Sequence, residues 1–347
     1  MPTVNPPPAP AALGYRMPAE WESHAGTWLS WPHNEASWPD HFEPVPGTFA
    51  GLVEALVNYE PVNILASGEV LEQARALVSG LPRVSFHDVP TNDAWQRDHG
   101  PMFLVGPPGS RPALIDWGYN AWGGKYPPFD LDDQVPARVA ELLGFRRFEP
   151  GIILEGGAVD FNGAGSVLTT EQCLLNPNRN PQLGRADLEH YLADYCAARH
   201  VIWLGEGIVG DDTDGHIDEL ARFVGPRTVV AAREPDPQDE NYAALEDNFR
   251  RLELATDEQG RKLEIVGLSM PRPVRYQGQR LPASYCNFYI ANGVVVVPQF
   301  DDPADAQAIA TLAAAFPDRK VIGLRAVELA WGLGTFHCVT QQQAEQE

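Results

Sequence analysis

The chain is poor in positive charge, in cysteine and in long apolar runs. Lys and Arg number 25 against 47 Asp and Glu, a formal net charge of -22. That excess repels a phosphate backbone and argues against nucleic acid as a partner. No apolar run reaches the roughly 18 residues that a membrane helix needs. The start, Met1-Pro2-Thr3-Val4 and a proline-rich stretch to Pro10, lacks the basic and apolar regions of a secretory leader. A soluble, cytoplasmic protein that makes no membrane contact is therefore expected. The four cysteines, Cys173, Cys196, Cys286 and Cys338, are too scattered for a disulfide scaffold or a CxxC metal knuckle, and they suit a reducing compartment.

Past the first residues, short strands alternate with helical patterns, and no proline- or glycine-rich linker divides them. Helices are expected near 48–60, 69–79, 132–143, 186–198 and 303–316. Three stretches, opening at Gly156, Asp218 and Asn287, share one grammar: two strands joined by a tight turn, then a helix and a further strand. With the N-terminal strands and the segment from Arg97 to Asp116, this suggests about five ββαβ units arranged radially around a central site. Residues 1–16 are expected to be an extended tail, and 17–347 a single domain.

The residues best suited to chemistry lie at the ends of such strands. Cys338 offers a nucleophilic thiol, although a cysteine among apolar neighbours is more often an inert core residue. In an extended strand neighbouring side chains point to opposite faces, so His337 is a poor base for Cys338 and reads better as a packed, hydrogen-bonded residue. His216 is the better partner, because Gly215 allows close backbone approach and Asp218 shares its face if the chain is extended there. The same His-x-Asp pair, with Asp212 or Asp214, could be a strand-end salt bridge or a metal site.

Asp93 and Asp98 bracket Trp95 within Asn92-Asp93-Ala94-Trp95-Gln96-Arg97-Asp98-His99-Gly100-Pro101, either as functional acids or as caps of backbone amides. Glu155, ahead of Gly156-Gly157 in an apolar pattern, needs a cation or a hydrogen-bonding network if it is buried. Neither phosphate-loop glycine pattern surrounds it. The segment Trp117 to Tyr126, including Trp122, could wall a pocket for a cation through its aromatic faces.

Trp28-Leu29-Ser30-Trp31-Pro32, Asn92 to Pro101, Glu155-Gly156-Gly157, Leu174 to Pro181, Asp214-Gly215-His216-Ile217-Asp218, Pro298 to Asp302 and His337 to Gln342 together resemble the agmatine deiminase family of the guanidine-modifying superfamily. The resemblance spans about Met17 to Gln343. It implies a five-bladed ββαβ pseudo-symmetric α/β propeller, with Cys338 as nucleophile and His216 as general acid and base. Asp98 and Asp218 would hold the guanidinium, and Glu155, Asp93, Trp95 and Trp122 would contact substrate. It further implies no cofactor and no metal, a small cationic guanidine as substrate, and a homodimer.

The chain departs from the family pattern at two places. Leu333-Gly334-Thr335-Phe336 replaces a usual Gly-Gly-Asn-Ile, and Glu35-Ala36-Ser37-Trp38-Pro39 stands where Asp-Asn-Trp-Arg is common. Deimination of agmatine to N-carbamoylputrescine is the expected activity, with free or peptidyl arginine, or a non-catalytic cation-binding module, as alternatives.

Overall fold

The computed structural model describes residues 8–346. Eighteen strands are assigned within them. The first sheet joins β1 (His24–Ser30), β2 (Val62–Ala66) and β3 (Val84–Asp88) in parallel. Four further sheets each pair one antiparallel and one parallel neighbour. These are β4 (Met102–Leu104), β5 (Ala113–Ile115) and β6 (Arg146–Phe148); then β7 (Asp160–Phe161), β8 (Ser166–Thr170) and β9 (His200–Leu204). They continue with β10 (Ala221–Phe223), β11 (Thr228–Arg233) and β12 (Glu264–Ser269). A small hairpin, β13 (Arg275–Tyr276) and β14 (Gln279–Arg280), precedes β15 (Tyr289–Ala291), β16 (Val294–Gln299) and β17 (Lys320–Arg325). The last strand, β18 (Gln341–Ala344), returns to the first sheet, antiparallel to β1.

A helix crosses over within each parallel connection, as parallel pairing requires. Arg185–Cys196 links β8 to β9, Tyr242–Leu254 links β11 to β12, and Asp305–Ala315 links β16 to β17. Val135–Leu143, between β5 and β6, stops at Gly144 with φ of 65°, a left-handed cap that glycine adopts without penalty. Val294, Val295, Val296 and Val297 of β16 are all fully buried. A continuous apolar run of this kind marks a strand covered on both faces.

The expected closed five-bladed propeller is corrected. Among the described residues the strands form six separate sheets, and none closes on itself into a barrel or propeller. The first sheet has four strands, and the β13–β14 hairpin stands outside the repeating grammar. A recurrent ββαβ pattern specifies which neighbour a strand pairs with inside its own unit; it carries no information on closure between units. Of the stretch read as an extended tail, residues 1–7 lie outside the described residues. Pro10–Leu13 form a 3-10 turn, Tyr15 is buried, and Arg16 bridges to Val105. Among the described residues no helix is long and apolar enough to cross a membrane.

Candidate active site

Four short turns deliver the reactive side chains. Asp98 lies on the single helical turn Gln96–His99, and Glu155 precedes the 3-10 turn Gly156–Ala158. His216 caps the 3-10 turn Ile217–Glu219, which carries Asp218. Cys338 sits in a turn just before β18. Arg97 holds two of these turns together. Its backbone N–H donates to the Cys338 carbonyl at 3.0 Å, and its guanidinium donates to the His337 carbonyl at 3.3 Å and to Gln342 at 2.7 Å.

The extended run considered from His216 to Asp218 is absent: His216 keeps φ of -58° and ψ of 140°, but a 3-10 turn begins at Ile217. The Asp211 carboxylate accepts the N–H groups of Gly215 and His216, both at 3.1 Å, and Gly215 takes φ of 87°. Side-chain acceptors of this kind draw the backbone out of a strand and into a turn. The alternation argument for His337 fails for a similar reason, since the segment turns before β18 starts. Both neighbours reach one carboxylate: His337 Nδ1 lies 2.7 Å from Asp218 Oδ2, and Cys338 Sγ lies 3.7 Å from the same oxygen. His337 is nonetheless a packed, hydrogen-bonded residue. Its Nε2 faces Glu20 at 2.8 Å.

His216, 1 % exposed, has Nδ1 at 3.7 Å from Asp98 Oδ1. Burial alone would lower its proton affinity, but Asp98, the neighbouring Cys173 thiol and Glu155 outweigh that, and the imidazole is held well above its ordinary range. Asp98 accepts the Gly157 N–H at 2.9 Å and the Trp122 indole N–H at 3.0 Å. Burial pushes its carboxyl up to about 6, with Asp218 and Glu155 adding to the rise and His216 opposing it. Burial also pushes the Cys338 thiol well up, reinforced by Asp218, Glu219 and Asp98. For Asp218 burial acts upward too, but the His337 hydrogen bond and charge, with help from His216 and Arg222, leave it below the carboxylate range.

Glu155 is buried, as the sequence suggested, and the cation it required is Arg179, whose Nε donates at 2.7 Å. Arg179 also donates to the Thr213 carbonyl at 2.7 Å and pairs with Asp214, tying the turn that bears His216 to Glu155. Glu155 therefore stands beside His216 and Cys173, within 4.8 Å, and does not line the pocket. Asp218, Glu219 and Cys338 likewise bring ligand atoms within 4.8 Å of one another. Both trios have the spacing of a metal cluster, yet Arg179 already compensates Glu155, and His337 already compensates Asp218.

A cavity of about 320 Å³ opens above Cys338 and Asp98. Asp93, Trp95 and Trp122 line it, as expected, while His216 and Asp218 adjoin its floor from below. Trp95 stacks on Trp38 with centroids 5.3 Å apart and meets Trp122 edge-on at 6.4 Å. Trp122 holds a left-handed backbone, φ 54° and ψ 43°, which is strained for a bulky side chain and typical of functional sites. Three buried polar atoms here lack a hydrogen-bond partner: His216 Nε2, Asp218 Oδ1 and Glu219 Oε2. Such unused capacity is costly unless a ligand satisfies it.

Asp212, weighed from the sequence as a possible metal ligand, is bonded by the Tyr126 hydroxyl and contributes another carboxylate to the wall. Sequence reasoning missed a further part of it. Tyr276, Gln277 and Gln279 come from the β13–β14 hairpin, whose turn residues Gln277 and Gly278 both have positive φ. The Gln-Gly pair between short polar strands was the available signal for it. Of the two departures from the family pattern, Phe336 is fully buried and away from the cavity, whereas Leu333, at φ of 72°, lines it along with Ala36, Ser37 and Pro39.

The Asp98 shift gives a pH dependence. A carboxyl raised in the folded state adds stability below its unfolded value near 3.8, and that contribution is lost as pH rises through about 6. Gripping a cation needs the opposite, ionised form. The expected result is that kcat/KM for a cationic substrate climbs close to tenfold per unit between about pH 5 and 6 and flattens above. Substrate binding below pH 6 should also release a proton, measurable by calorimetry in buffers of different ionisation enthalpy. A flat profile across that window would rule out Asp98 as a cation ligand.

A buried thiol, a protonated imidazole and converging carboxylates beneath an aromatic-walled pocket define a cysteine enzyme for a cationic substrate. A sequence profile described as Porphyromonas-type peptidyl-arginine deiminase matches residues 16–344, and the chain belongs to that family. It is 40% identical over 363 residues to the agmatine deiminase of Pseudomonas aeruginosa (strain LESB58), covering 98% of each chain. Its structure is similar to the agmatine deiminase of Enterococcus faecalis, with a TM-score of 0.93 at 34% identity and 98% of each chain covered. It is also similar to a cysteine-to-serine agmatine deiminase of C. jejuni with substrate bound, with a TM-score of 0.87 at 30% identity, covering 95% of this chain and 96% of that one.

Proposed function

We propose that the protein is an agmatine deiminase, hydrolysing agmatine to N-carbamoylputrescine and ammonia through a covalent Cys338 intermediate. The observation that carries this reading is the charge of the pocket. Asp93, Asp98 and Asp212 line it, and among the described lining residues none is Lys or Arg. Agmatine is cationic at both ends, so it suits acids at the floor and along the wall. Free arginine would bring an α-carboxylate among those acids with no Lys or Arg among the lining residues to receive it, and the Lys125 ammonium nearby is already taken by Asp214. The relatives named for agmatine support the same choice.

Asp98 and Asp218 grip the planar guanidinium with charge-assisted hydrogen bonds, and the arriving cation offsets the negative field that keeps Cys338 protonated. The Cys338 proton passes to solvent in the open cavity as the cation arrives, and the thiolate attacks the central carbon to give a neutral tetrahedral adduct. Protonated His216 donates to the departing nitrogen, ammonia leaves, and an amidino-thioether remains on Sγ. His216, now neutral, takes a proton from water as its oxygen adds to the same carbon. Collapse expels the sulfur, which takes up the hydroxyl proton and returns to the thiol, and leaves the ureido product. No electron transfer enters this sequence, and full activity after exhaustive chelation is the corresponding expectation. Four reduced thiols suit a cytoplasmic setting for it.

Ammonia release from agmatine, free arginine and a blocked arginyl peptide tests the reading, with intact-mass analysis of acid-quenched turnover. Agmatine should be preferred by about 10²-fold or more in kcat/KM, the scale of an unpaired charge forced into an acidic site. A mass increment equal to agmatine less ammonia should map to Cys338. Equal turnover of arginine would move the substrate, and absence of any adduct with rapid turnover would remove the covalent route.

A further inference from the structure

We propose that Asn287 is a catalytic residue of this site, whose carboxamide donates the hydrogen bond that aims the Cys338 sulfur and steadies its thiolate. The proposal rests on Cys338 being the nucleophile.

Asn287 is fully buried and lies just ahead of β15, far from Cys338 in sequence. Its Nδ2 sits 3.1 Å from Cys338 Sγ. The other end of the amide fixes which way it points. Oδ1 is met by the Thr335 hydroxyl at 2.7 Å and by the backbone N–H groups of Thr335, His337 and Cys338 at 3.2, 3.1 and 3.4 Å. Turning the amide over would set its NH2 against three N–H donors, so only the oxygen can face the turn and only the nitrogen can face the sulfur. One side chain thereby holds the turn that presents the nucleophile and also supplies a donor to it.

That donor is the exception in the sulfur's surroundings. The titratable groups facing Sγ are Asp218 and Glu219, at 3.7 and 4.0 Å, with Asp98 acting from the short helix. Their charges and burial favour the thiol, whereas a hydrogen bond donated to the anion favours the thiolate. In the attack step the sulfur passes its electron pair to the guanidinium carbon, and in the last step it receives the pair back on expulsion. The Asn287 donor serves both ends of that cycle, when sulfur carries negative charge.

The test is the pH dependence of Cys338 alkylation by iodoacetamide in Asn287→Ala and Asn287→Asp, with Cys338→Ser as the background for the other thiols, alongside steady-state kinetics. Asn287→Asp keeps the oxygen that the turn requires and replaces the donor with a second acceptor, so it remains informative if the alanine variant fails to fold. The alkylation midpoint should rise by about one to two pH units in the alanine variant and further in the aspartate variant. The fall in kcat should be about 10²-fold in both, with KM within about threefold. A midpoint unchanged in the folded variants would overturn the proposal whatever the loss in kcat, because a purely structural role moves stability and not thiol acidity. Alkylation needs no turnover, so this result stands apart from the substrate panel, whose failure would strike the deiminase reading alone.

Discussion

Gly157→Ala should fold and yet lose about 10²- to 10³-fold in kcat/KM, since misplacing reacting groups by about an ångström costs on that order. Gly157 does not have a left-handed backbone, so alanine meets no backbone strain there. The difficulty is space. A Cβ at this position would lie 2.5 Å from His216 Nδ1, 2.8 Å from Asp98 Oδ1 and 3.2 Å from Asp218 Oδ2. These belong to buried side chains held in place, His216 and Asp98 by their own ion pair and Asp218 by His337, so relief comes only by spreading the acid, the proton donor and the second acid apart. Gly225→Ala, where the added carbon would meet Thr228 at 3.6 Å, provides the control and should stay within about twofold. A folded Gly157→Ala enzyme retaining more than about a tenth of its kcat/KM would show that the three groups do not act as one geometric unit.

His337→Ala should lose about 3 kcal/mol of stability and at least 10²-fold in kcat/KM, although His337 does not line the pocket. Its two ring nitrogens face the carboxylates of Asp218 and Glu20. Ionised carboxylates only accept, so both nitrogens donate. Without the ring Asp218 loses the largest influence holding it below the carboxylate range, and burial then drives it toward the neutral acid. The stability Asp218 contributes is present above its unfolded value and lost as pH falls through its folded one; in the variant, where burial raises the folded value, the sign reverses and stability falls as pH rises through it. Because gripping the cation needs ionised Asp218, activity of the variant should recover partly as pH is raised above about 6, where the wild-type profile is flat. Chemical denaturation and kcat/KM at several pH values check this, and loss of stability with unchanged kcat/KM would make His337 a packing residue alone.

Asp98, His216, Asp218 and Cys338 stood out in the sequence as candidates beside glycines and turns, but only the family resemblance gave them roles; the structure brings them together at one site. What their local backbone would do was less legible. Asp211 reads as one acid in a run of acids, yet its capping of Gly215 and His216 replaces the extended chain with a turn. Glu155 announced a need for a cation, but nothing near it in sequence pointed to Arg179. Asn287 lay in an apolar stretch that reads as the approach to a strand, and its five side-chain contacts to the Thr335–Cys338 turn exist only after distant segments meet. The ββαβ repeats were visible as alternating local patterns. The separation of the sheets was not, because local periodicity does not encode how one unit ends against the next.

The seam between β18 and β1 joins Gln341 to Trp28 and Ala344 to His24, nearly the full length of the chain apart. Cys338 lies three residues before that seam. Contacts of such long range are the slowest to form, since the entropy of closing the loop is lost before they give anything back. The acids and His216 are carried by interior turns, but the turn that bears the sulfur runs straight into the last strand, which docks on the first. Reactivity of this thiol is thus a sentinel of completed folding. Damage along the seam should silence the enzyme before the rest of the structure registers it.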